Sequence, residues 1–311
     1  MNFLKFIFVA VFVGLLLDYS QAQINVGIKT VDVDADAKIN ALAIEQLAFE
    51  LLNTADDSLK KQLNQDLKEL LILECSKPEA ISHSFEEVKS LSILTSQDSV
   101  FRLFNWNIPW SDGTFDFECG LLKRIKDSDN ADFYFLKSIE DSVQLTEQTP
   151  SPKNEWIPSL YYQVITKKTE RLTYYTLLSW DGNNRLTTKK YIDVFWFDQA
   201  GEMRFGAPIL VENGKTQKRK VFEYAAQNTL NLKFNSDLNR IEFDHLVPSN
   251  PRLAGVYEYY GADLSFDAYY WKNNRWEFES DIDIEEGIKK SKKDFQVDQE
   301  IIKEKKPIYE P

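Results

Sequence analysis

A stretch near the N-terminus carries apolar residues at helical spacing. Its first half contains Ile39, Leu42, Ala43, Leu47 and Leu51. After a polar break at residues 53–57, the spacing continues with Leu59, Leu63, Leu67, Leu70 and Leu71. One apolar stripe on each segment predicts a helical hairpin over residues 36–75, with Asp36 as the N-cap of the first helix. Residues 79–92 are predicted to add a short third helix that carries Phe85 and Val88.

From about residue 93 the period of the pattern changes from helical to two. Apolar and polar residues alternate within residues 100–108, 115–121 and 230–234, which is typical of strands with one buried face and one wetter face. Further strands are predicted near residues 132–139, 158–167, 172–180, 190–198, 203–211, 219–225, 239–246, 264–271 and 275–282.

Short polar turns separate these runs, as at residues 127–130, 199–202, 235–237 and 272–274, and such turns predict hairpins. No alternation of strands with helices appears, so a parallel sheet is not expected. The predicted fold class is therefore α+β. An N-terminal helical hairpin is followed by a large antiparallel β-meander that forms a sandwich or a curved open sheet. The helices are expected to pack on this sheet.

The two ends of the chain have a different character. Residues 6–17 form an unbroken apolar run after Lys5, and Ser20 and Ala22 are small residues at the −3 and −1 positions of a cleavage site. This layout predicts a signal peptide over residues 1–22, cleaved between Ala22 and Gln23. The apolar run is too short to span a bilayer, so we expect an exported mature chain, periplasmic or secreted, without a transmembrane segment.

The remaining boundaries follow from the change of pattern. Residues 23–92 form the predicted helical segment, and residues 93–285 form the predicted β domain. Residues 286–311 are dense in Lys, Glu and Asp with few apolar residues, which predicts a charged, flexible tail.

Charge and cysteine content narrow the function. The formal net charge of the chain is −12. Binding to nucleic acid normally rests on neutralising phosphates with Lys and Arg, so we do not expect a nucleic-acid partner. Cys75 and Cys119 form a disulfide bond or remain as two buried thiols, and the sequence leaves both alternatives open. Neither belongs to a CxxC pair, so redox chemistry and a zinc site are not expected.

Two features resemble sites that bind metal or carry out catalysis. The segment from Asp32 to Asp36 alternates acidic residues like the start of a calcium loop, but the sixth and twelfth positions hold Ala37 and Ala43 instead of Gly and a carboxylate. We therefore expect no metal and no cofactor. His245 lies beside Asp244 at a strand end, where it acts as a general base or ligand contact, or as a partly buried residue bonded to the backbone. His83, in a polar context, is expected to be exposed.

Aromatic residues next to polar turns suggest a second kind of site. The chain has seven Trp, and an exported protein can stack sugars on exposed aromatic rings, although packing in the core is the default. On this basis Trp110 and Asp112 join Asp244 and His245 as candidate ligand-binding residues. Asp181 to Asn184 either hold a metal or a sugar or form an exposed hairpin turn. We predict the turn, because Trp precedes polar turns at two other places in the chain.

Several short sequence features support a resemblance to a family. Residues 96–106 carry Ser-x-Asp-x-x-Phe-Arg followed by Asn-Trp, residues 112–114 read Asp-Gly-Thr, and residues 180–182 read Trp-Asp-Gly, with Lys189-Lys190 and residues 244–251 further along. In these features the chain resembles a family of exported bacterial proteins without an assigned function. The resemblance covers residues 36–285 and implies export and a single folded unit. It implies no activity, cofactor or site.

Two hypotheses about function remain. The first is a non-enzymatic exported protein that binds a ligand or belongs to the cell envelope, with a glycan or an envelope component as its partner. The alternative is a hydrolase of envelope or dietary polymers that uses Asp or Glu, helped by His245. A hydrolase requires a concave pocket that contains His245 and at least two acidic residues.

Overall fold

Two helices open the described part of the chain, and strands follow. The computed structural model describes residues 33–78, 80–126, 128, 130–139, 147–148 and 155–284. Helix α1 spans Val33–Asn53 and helix α2 spans Asp57–Cys75. The chain divides into two compact units between Ala37 and Lys38, and all packing described below belongs to the second unit. The predicted signal peptide, its cleavage site, the Asp32 end of the acidic segment and the tail at 286–311 lie outside the described residues.

Helix α1 differs from its prediction in two details. It begins at Val33, so Asp36 lies inside the helix and is not its N-cap. The buried stripe consists of Ala41, Ile44, Ala48 and Leu51, whereas the predicted stripe residue Leu42 is 52% exposed. Two alanines on the buried face keep the side chains there small, which suits close packing against neighbouring elements. The larger Leu42, one residue further round the helix, faces solvent.

The N-cap of helix α2 is Asp56, which lies in the polar break between the two helices. The side chain of Asp56 accepts hydrogen bonds from the backbone N–H groups of Ser58 and Leu59, which satisfies donors that the first turn leaves unpaired. The predicted stripe of leucines is largely confirmed, with Leu63, Leu67 and Leu71 buried. Leu59 is the exception, at 41% exposed.

A buried carboxylate, Glu74, organises the end of α2. It accepts hydrogen bonds from Asn40 on α1 at 2.8 Å and from Nδ1 of His83 at 3.1 Å, and it forms an ion pair with Lys77. The expectation that His83 is exposed is therefore wrong, because the ring lies against this buried acid. Residues 80–82 form a single 3₁₀ turn, so the third helix predicted at 79–92 is absent from its described residues. Phe85 and Val88 are buried without it.

The strands follow the predicted runs closely. Their bounds are β1 Ser92–Thr95, β2 Phe101–Pro109, β3 Phe115–Arg124, β4 Ala131–Phe135, β5 Lys137–Ser138, β6 Glu155–Trp156, β7 Leu160–Lys168, β8 Thr173–Asp181, β9 Thr187–Phe197, β10 Met203–Phe205, β11 Leu210–Glu212, β12 Lys215–Gln217, β13 Arg219–Ala225, β14 Leu232–Asn235, β15 Arg240–Pro248, β16 Tyr260–Lys272 and β17 Arg275–Glu279.

These strands form three main sheets, and almost all pairs are antiparallel. Sheet A has the order β1-β2-β3-β4, and sheet B has the order β10-β9-β8-β7 with β13 also paired to β9. Sheet C has the order β12-β11-β17-β16-β15-β14. Two short pairs, β11 with β17 and β5 with β6, are parallel, which the sequence did not predict. The β-rich α+β class with antiparallel sheets is confirmed.

Three large apolar clusters in the described part of the chain join these elements. The first lies between the helices and the even-numbered side chains of β2, including Phe104, Trp106 and Ile108. The second unites the other face of sheet A, including Phe101 and Cys119, with sheet B. The third unites sheets B and C, including Leu178, Ile192, Phe243, Tyr269 and Trp276. Sheets A and B are therefore buried on both faces, which accounts for the high aromatic content of their strands.

Candidate ligand-binding site

The hairpin between β2 and β3 contains two of the sequence-predicted site residues. Its loop closes through a hydrogen bond from the backbone N–H of Trp110 to the carbonyl of Thr114 at 2.9 Å. Asp112 sits at the tip, where Oδ1 accepts hydrogen bonds from the backbone N–H and the hydroxyl of Thr114. The Thr114 hydroxyl lowers the pKa of Asp112. This carboxylate is therefore occupied by its own turn.

Helix α2 holds this hairpin in place. Asp57, in the first turn of the helix, accepts hydrogen bonds from the hydroxyl of Ser111 at 2.6 Å and from its backbone N–H at 3.2 Å. The Ser111 hydroxyl lowers the pKa of Asp57. Lys60, almost fully buried, donates to the carbonyl of Pro109. These contacts fix the position of Trp110 against the helix.

Trp110 lines a cavity of about 500 Å³ beside the first half of β3, which we call the edge cavity. Helix α2, the β2–β3 hairpin and the segments next to β5 and β6 contribute its walls. Its lining residues are Lys61, Asn64, Ile108, Trp110, Phe115, Asp116, Phe117, Glu118, Ser138 and Pro158. The structure thus places Trp110 in a cavity, whereas Asp112 lies outside its lining.

One wall of the edge cavity is a fixed polar network. Glu118 accepts hydrogen bonds from Nζ of Lys68 at 2.8 Å and from the side-chain amide of Asn64 at 3.2 Å. The oxygen of Asn64 in turn accepts from the indole N–H of Trp106 at 2.8 Å, which fixes the orientation of the amide. A carboxylate held by a cation and an amide is a fixed acceptor with its charge balanced. Asp116, two residues away, is exposed.

The opposite wall is aromatic. The rings of Phe115 and Phe117 are stacked with their centroids 6.5 Å apart, and Phe115 makes an edge contact with Trp180 at 5.3 Å. Phe115 also lies over Gly182, where an added Cβ would come within 2.2 Å of the ring. The lining of the cavity is therefore mixed, with five apolar residues and five polar or charged ones.

The close approach of Phe115 explains the glycine in the Trp180-Asp181-Gly182 motif. Gly182 does not adopt a positive φ, whereas Asn183 does, at 51°. The expected hairpin between β8 and β9 is present, but its loop runs over residues 182–186 and only the later part of it is exposed. Asp181 is half-buried, and burial raises its pKa although the backbone N–H of Asn183 donates to it.

Asp244 and His245 lie on sheet C and do not line the edge cavity. Asp244 accepts a hydrogen bond from the backbone N–H of Asn231 at 2.6 Å. His245 sits at a β-bulge, and its Nδ1 lies 2.7 Å from Oδ2 of Asp267, which is buried. The partner of His245 is therefore Asp267, 22 positions away, and not its neighbour Asp244. No local pattern in the sequence marks this pair.

Both cysteines are free and buried. Cys75 packs in the cluster between the helices and sheet A, while Cys119 points from the other face of sheet A toward sheet B. Facing different clusters, the two thiols form no bridge, so of the two alternatives the structure shows the free thiols. Burial raises the pKa of each thiol well above its usual value.

Most of the cavity lining was missed from the sequence. In the sequence, Asp116 and Glu118 are polar positions of an alternating strand, and Phe115 and Phe117 are its apolar positions. Lys61 and Asn64 are polar residues between the leucines of the predicted second helix. Each interpretation is correct locally, and only the packing of α2 beside β3 brings the residues together. Among the described residues, no group of three or more His, Cys, Asp or Glu side chains is arranged to hold a metal ion.

The tryptophans follow the default expectation, since each of the seven is buried or half-buried. No Trp side chain is fully exposed for stacking against a sugar, and only part of the Trp110 ring is accessible to a ligand. Comparison of the chain with family models, with curated proteins and with solved structures finds no match. Any inference about function therefore rests on the geometry of the chain itself.

Proposed function

We propose that this protein is a non-enzymatic ligand-binding protein and that its ligand occupies the edge cavity. The observation that carries this proposal is the lining of the cavity, where Trp110, Phe115 and Phe117 meet Glu118 and Asn64 in fixed orientations. Its volume of about 500 Å³ lies within the range of small-molecule pockets. The engagement of Glu118 by Lys68 and Asn64 supports binding, because a carboxylate held in place is a fixed acceptor for the donor groups of a ligand.

We further propose that the protein acts outside the cytoplasm, in the periplasm or after secretion, in contact with envelope components. The predicted signal peptide supports this location. In the described residues, neither helix has the length and apolar character needed to cross a membrane. N-terminal sequencing of the protein recovered from the periplasm and medium tests the location, and a mature chain that begins at Gln23 is expected. An uncleaved chain found only in the cytoplasm would overturn it.

The binding proposal is tested by a thermal-shift screen against peptidoglycan fragments, chitooligosaccharides and short peptides. We expect at least one compound to raise the Tm of the native protein and not that of Trp110→Ala, because this substitution removes one wall of the cavity. Asp112→Ala is the matched control, since Asp112 is in the same hairpin and outside the cavity lining. A ligand that stabilises Trp110→Ala as strongly as the native protein would contradict the assignment of the site.

A hydrolase remains a second candidate because of one observation. Asp267 is buried and 2.7 Å from His245, whose side chain is 43% exposed, so the acid orients an accessible imidazole. This is the arrangement in which a His acts as a general base. Assays of polysaccharide, peptide and ester hydrolysis with the native protein and with His245→Ala test it. Activity that His245→Ala abolishes and Trp110→Ala retains would favour the hydrolase over the binding protein.

A further inference from the structure

The edge cavity runs along the side of a strand and not over one of its faces. Four consecutive residues of β3, at positions 115–118, line it. Successive side chains of a strand point to opposite faces of the sheet. Odd-numbered and even-numbered residues can therefore line the same cavity only at the edge of the strand. Phe115 and Phe117 belong to the face toward sheet B, whereas Asp116 and Glu118 belong to the face toward α2.

The hydrogen-bond phase of β3 shows which backbone groups point into the cavity. The backbone N–H of Trp110 donates to the carbonyl of Thr114, so these two residues form a hydrogen-bonded pair at the end of the β2–β3 ladder. In an antiparallel ladder every second pair is hydrogen-bonded. The N–H and C=O groups of Asp116 and Glu118 therefore point toward β2. The odd-numbered residues face the other way. A hydrogen bond from the N–H of Leu136 to the carbonyl of Cys119 confirms this phase. The N–H and C=O groups of Phe115 and Phe117 therefore point outward into the cavity.

Among the described strands, none lies beside these outward groups. β4 pairs with β3 only over residues 120–124, and the chain then leaves β3, since residues 137–138 pair with residues 155–156 of β6. Within the described part of the chain, no backbone or side-chain hydrogen bond reaches the outward groups of Phe115 or Phe117. Phe117 is only 7% exposed, and polar backbone groups so deeply placed are normally paired.

We propose that the ligand of the edge cavity is an extended peptide segment of another protein, which adds as a strand beside residues 115–118. This inference rests on the proposed binding function and names the class of its partner. The added strand pairs with the N–H and C=O groups of Phe115 and Phe117, and these main-chain bonds supply affinity. Four residues of strand span about 13 Å at about 3.3 Å per residue, which sets the length of the recognised core.

The two walls of the cavity determine the sequence pattern of the partner. Side chains on one face of the added strand meet the rings of Phe115 and Phe117, so apolar residues fit there. On the other face they meet Asp116, an exposed carboxylate with no ion pair in the described residues, while Glu118 is already paired with Lys68. A basic residue opposite Asp116 completes the match. The partner therefore carries apolar and basic residues in alternation.

The probe for this proposal is a capped pentapeptide of alternating Val and Lys, added to the ¹⁵N-labelled full chain. We expect it to shift the amide resonances of residues 115–118 and to slow hydrogen exchange at Phe115 and Phe117. The same peptide N-methylated at the amides that face β3 should bind about tenfold more weakly, because each lost main-chain bond weakens binding several-fold. Shifts that map outside the edge cavity would overturn the proposal.

Three variants separate the mode of binding from a general loss of structure. Ser138→Trp fills the cavity from the side of β5 and should abolish the response, while Ser249→Trp, at an exposed serine on the loop after β15, should leave it unchanged. Asp116→Lys should weaken the Val-Lys peptide and favour a Val-Glu peptide of the same length. Equal binding of both peptides to native and Asp116→Lys protein would overturn the predicted charge pattern.

A chitooligosaccharide series, tested in the same way, distinguishes a wrong peptide partner from a wrong binding function. If a saccharide shifts the cavity resonances and no peptide does, the peptide partner is overturned while the binding function stands. If neither peptides nor saccharides shift residues 115–118, both are overturned. If the peptide protects Phe115 and Phe117 and N-methylation abolishes this protection, strand addition is established.

Discussion

At the scale of single residues, burial governs the behaviour of the charged pair Asp193 and Arg219. The two residues are cross-strand neighbours on β9 and β13, both are almost fully buried, and their side chains approach to 3.6 Å. Burial raises the pKa of Asp193 to about 6, although the guanidinium of Arg219 lowers it. Removal of the carboxylate from water thus outweighs the attraction between the two charges.

This pair predicts a defined pH dependence of stability. The folded-state pKa of Asp193 lies above its unfolded value of 3.8, so between about pH 4 and pH 6 the folded state binds more protons. The contribution of Asp193 to the free energy of unfolding should therefore fall as the pH rises through this window. Asp193→Asn, which cannot ionise, should gain about 1–3 kcal/mol relative to the native protein between pH 4.5 and pH 7.5.

Urea unfolding of both proteins at the two pH values measures this difference. Asp198→Asn is a control, since Asp198 is on the surface and Arg204 lowers its pKa, so its carboxyl is ionised in both states across this window and its effect on stability should be nearly the same at the two pH values. If Asp193→Asn instead loses stability relative to the native protein as the pH rises, the attraction of Arg219 exceeds the cost of burial, and the interpretation is wrong.

Gly182 is required by the close approach of a ring and not by a positive φ in the turn. An added Cβ would lie 2.2 Å from the ring of Phe115, which lines the edge cavity. Gly182→Ala should cost about 1–3 kcal/mol of stability, because a well-packed site must shift to admit a methyl group. In a Phe115→Ala background the same substitution should cost much less. Thermal or urea denaturation of the four proteins gives the coupling, and purely additive effects would exclude the clash.

At the scale of elements, hairpins are the units that the sequence predicted best. The turn between β16 and β17 illustrates why, since Lys272 pairs with Arg275 and leaves a two-residue loop. Asn273 and Asn274 in this loop have φ values of 51° and 61°. Two positive φ angles define the turn type that suits the twist of a hairpin, and Asn tolerates them. The signal is local, so no other part of the chain is needed to recognise it.

The same turn allows a test by substitution in either direction. Asn274→Gly should be neutral or stabilise the protein by up to about 1 kcal/mol, because Gly adopts a positive φ without strain. Asn274→Ala should destabilise it by about 1 kcal/mol, since Cβ disfavours the left-handed region. Both side chains are exposed, so packing changes little. Urea midpoints that rank Ala above Gly would show that the positive φ is not what determines this turn.

Element edges were predicted less well than element interiors. The first helix begins three residues before its predicted cap, and the third helix is reduced to a 3₁₀ turn at residues 80–82. The buried stripe of α1 is displaced from Leu42 to Ala41 and Ile44. Apolar periodicity identifies a helix reliably. The face that it buries also depends on what packs against it.

At the scale of the whole molecule, the layering of the sheets decides the state of the cysteines. Cys75 and Cys119 lie in clusters on opposite sides of sheet A, and both are buried. We expect two free thiols per chain, and neither should react with a thiol reagent until the protein unfolds, because burial raises both pKa values and blocks access.

Thiol labelling followed by mass spectrometry, with and without denaturant and without reductant, measures both properties. Two labels in denaturant and none under native conditions are expected. The same counts should be obtained from protein secreted into an oxidising medium. A chain that takes up no label even when unfolded would establish a Cys75–Cys119 bridge and would require sheet A to pack differently.

The amino-acid sequence alone predicts the local structure of this protein: two amphipathic helices, most strands and the hairpin turns between them. Those features depend on neighbours two to four positions away, so their periodicity is visible in the chain. The residues that share a site come together only through long-range packing. Glu118 meets Asn64 and Lys68 across about fifty positions, and His245 meets Asp267 across 22. Such contacts depend on which elements pack together. No local pattern specifies that choice.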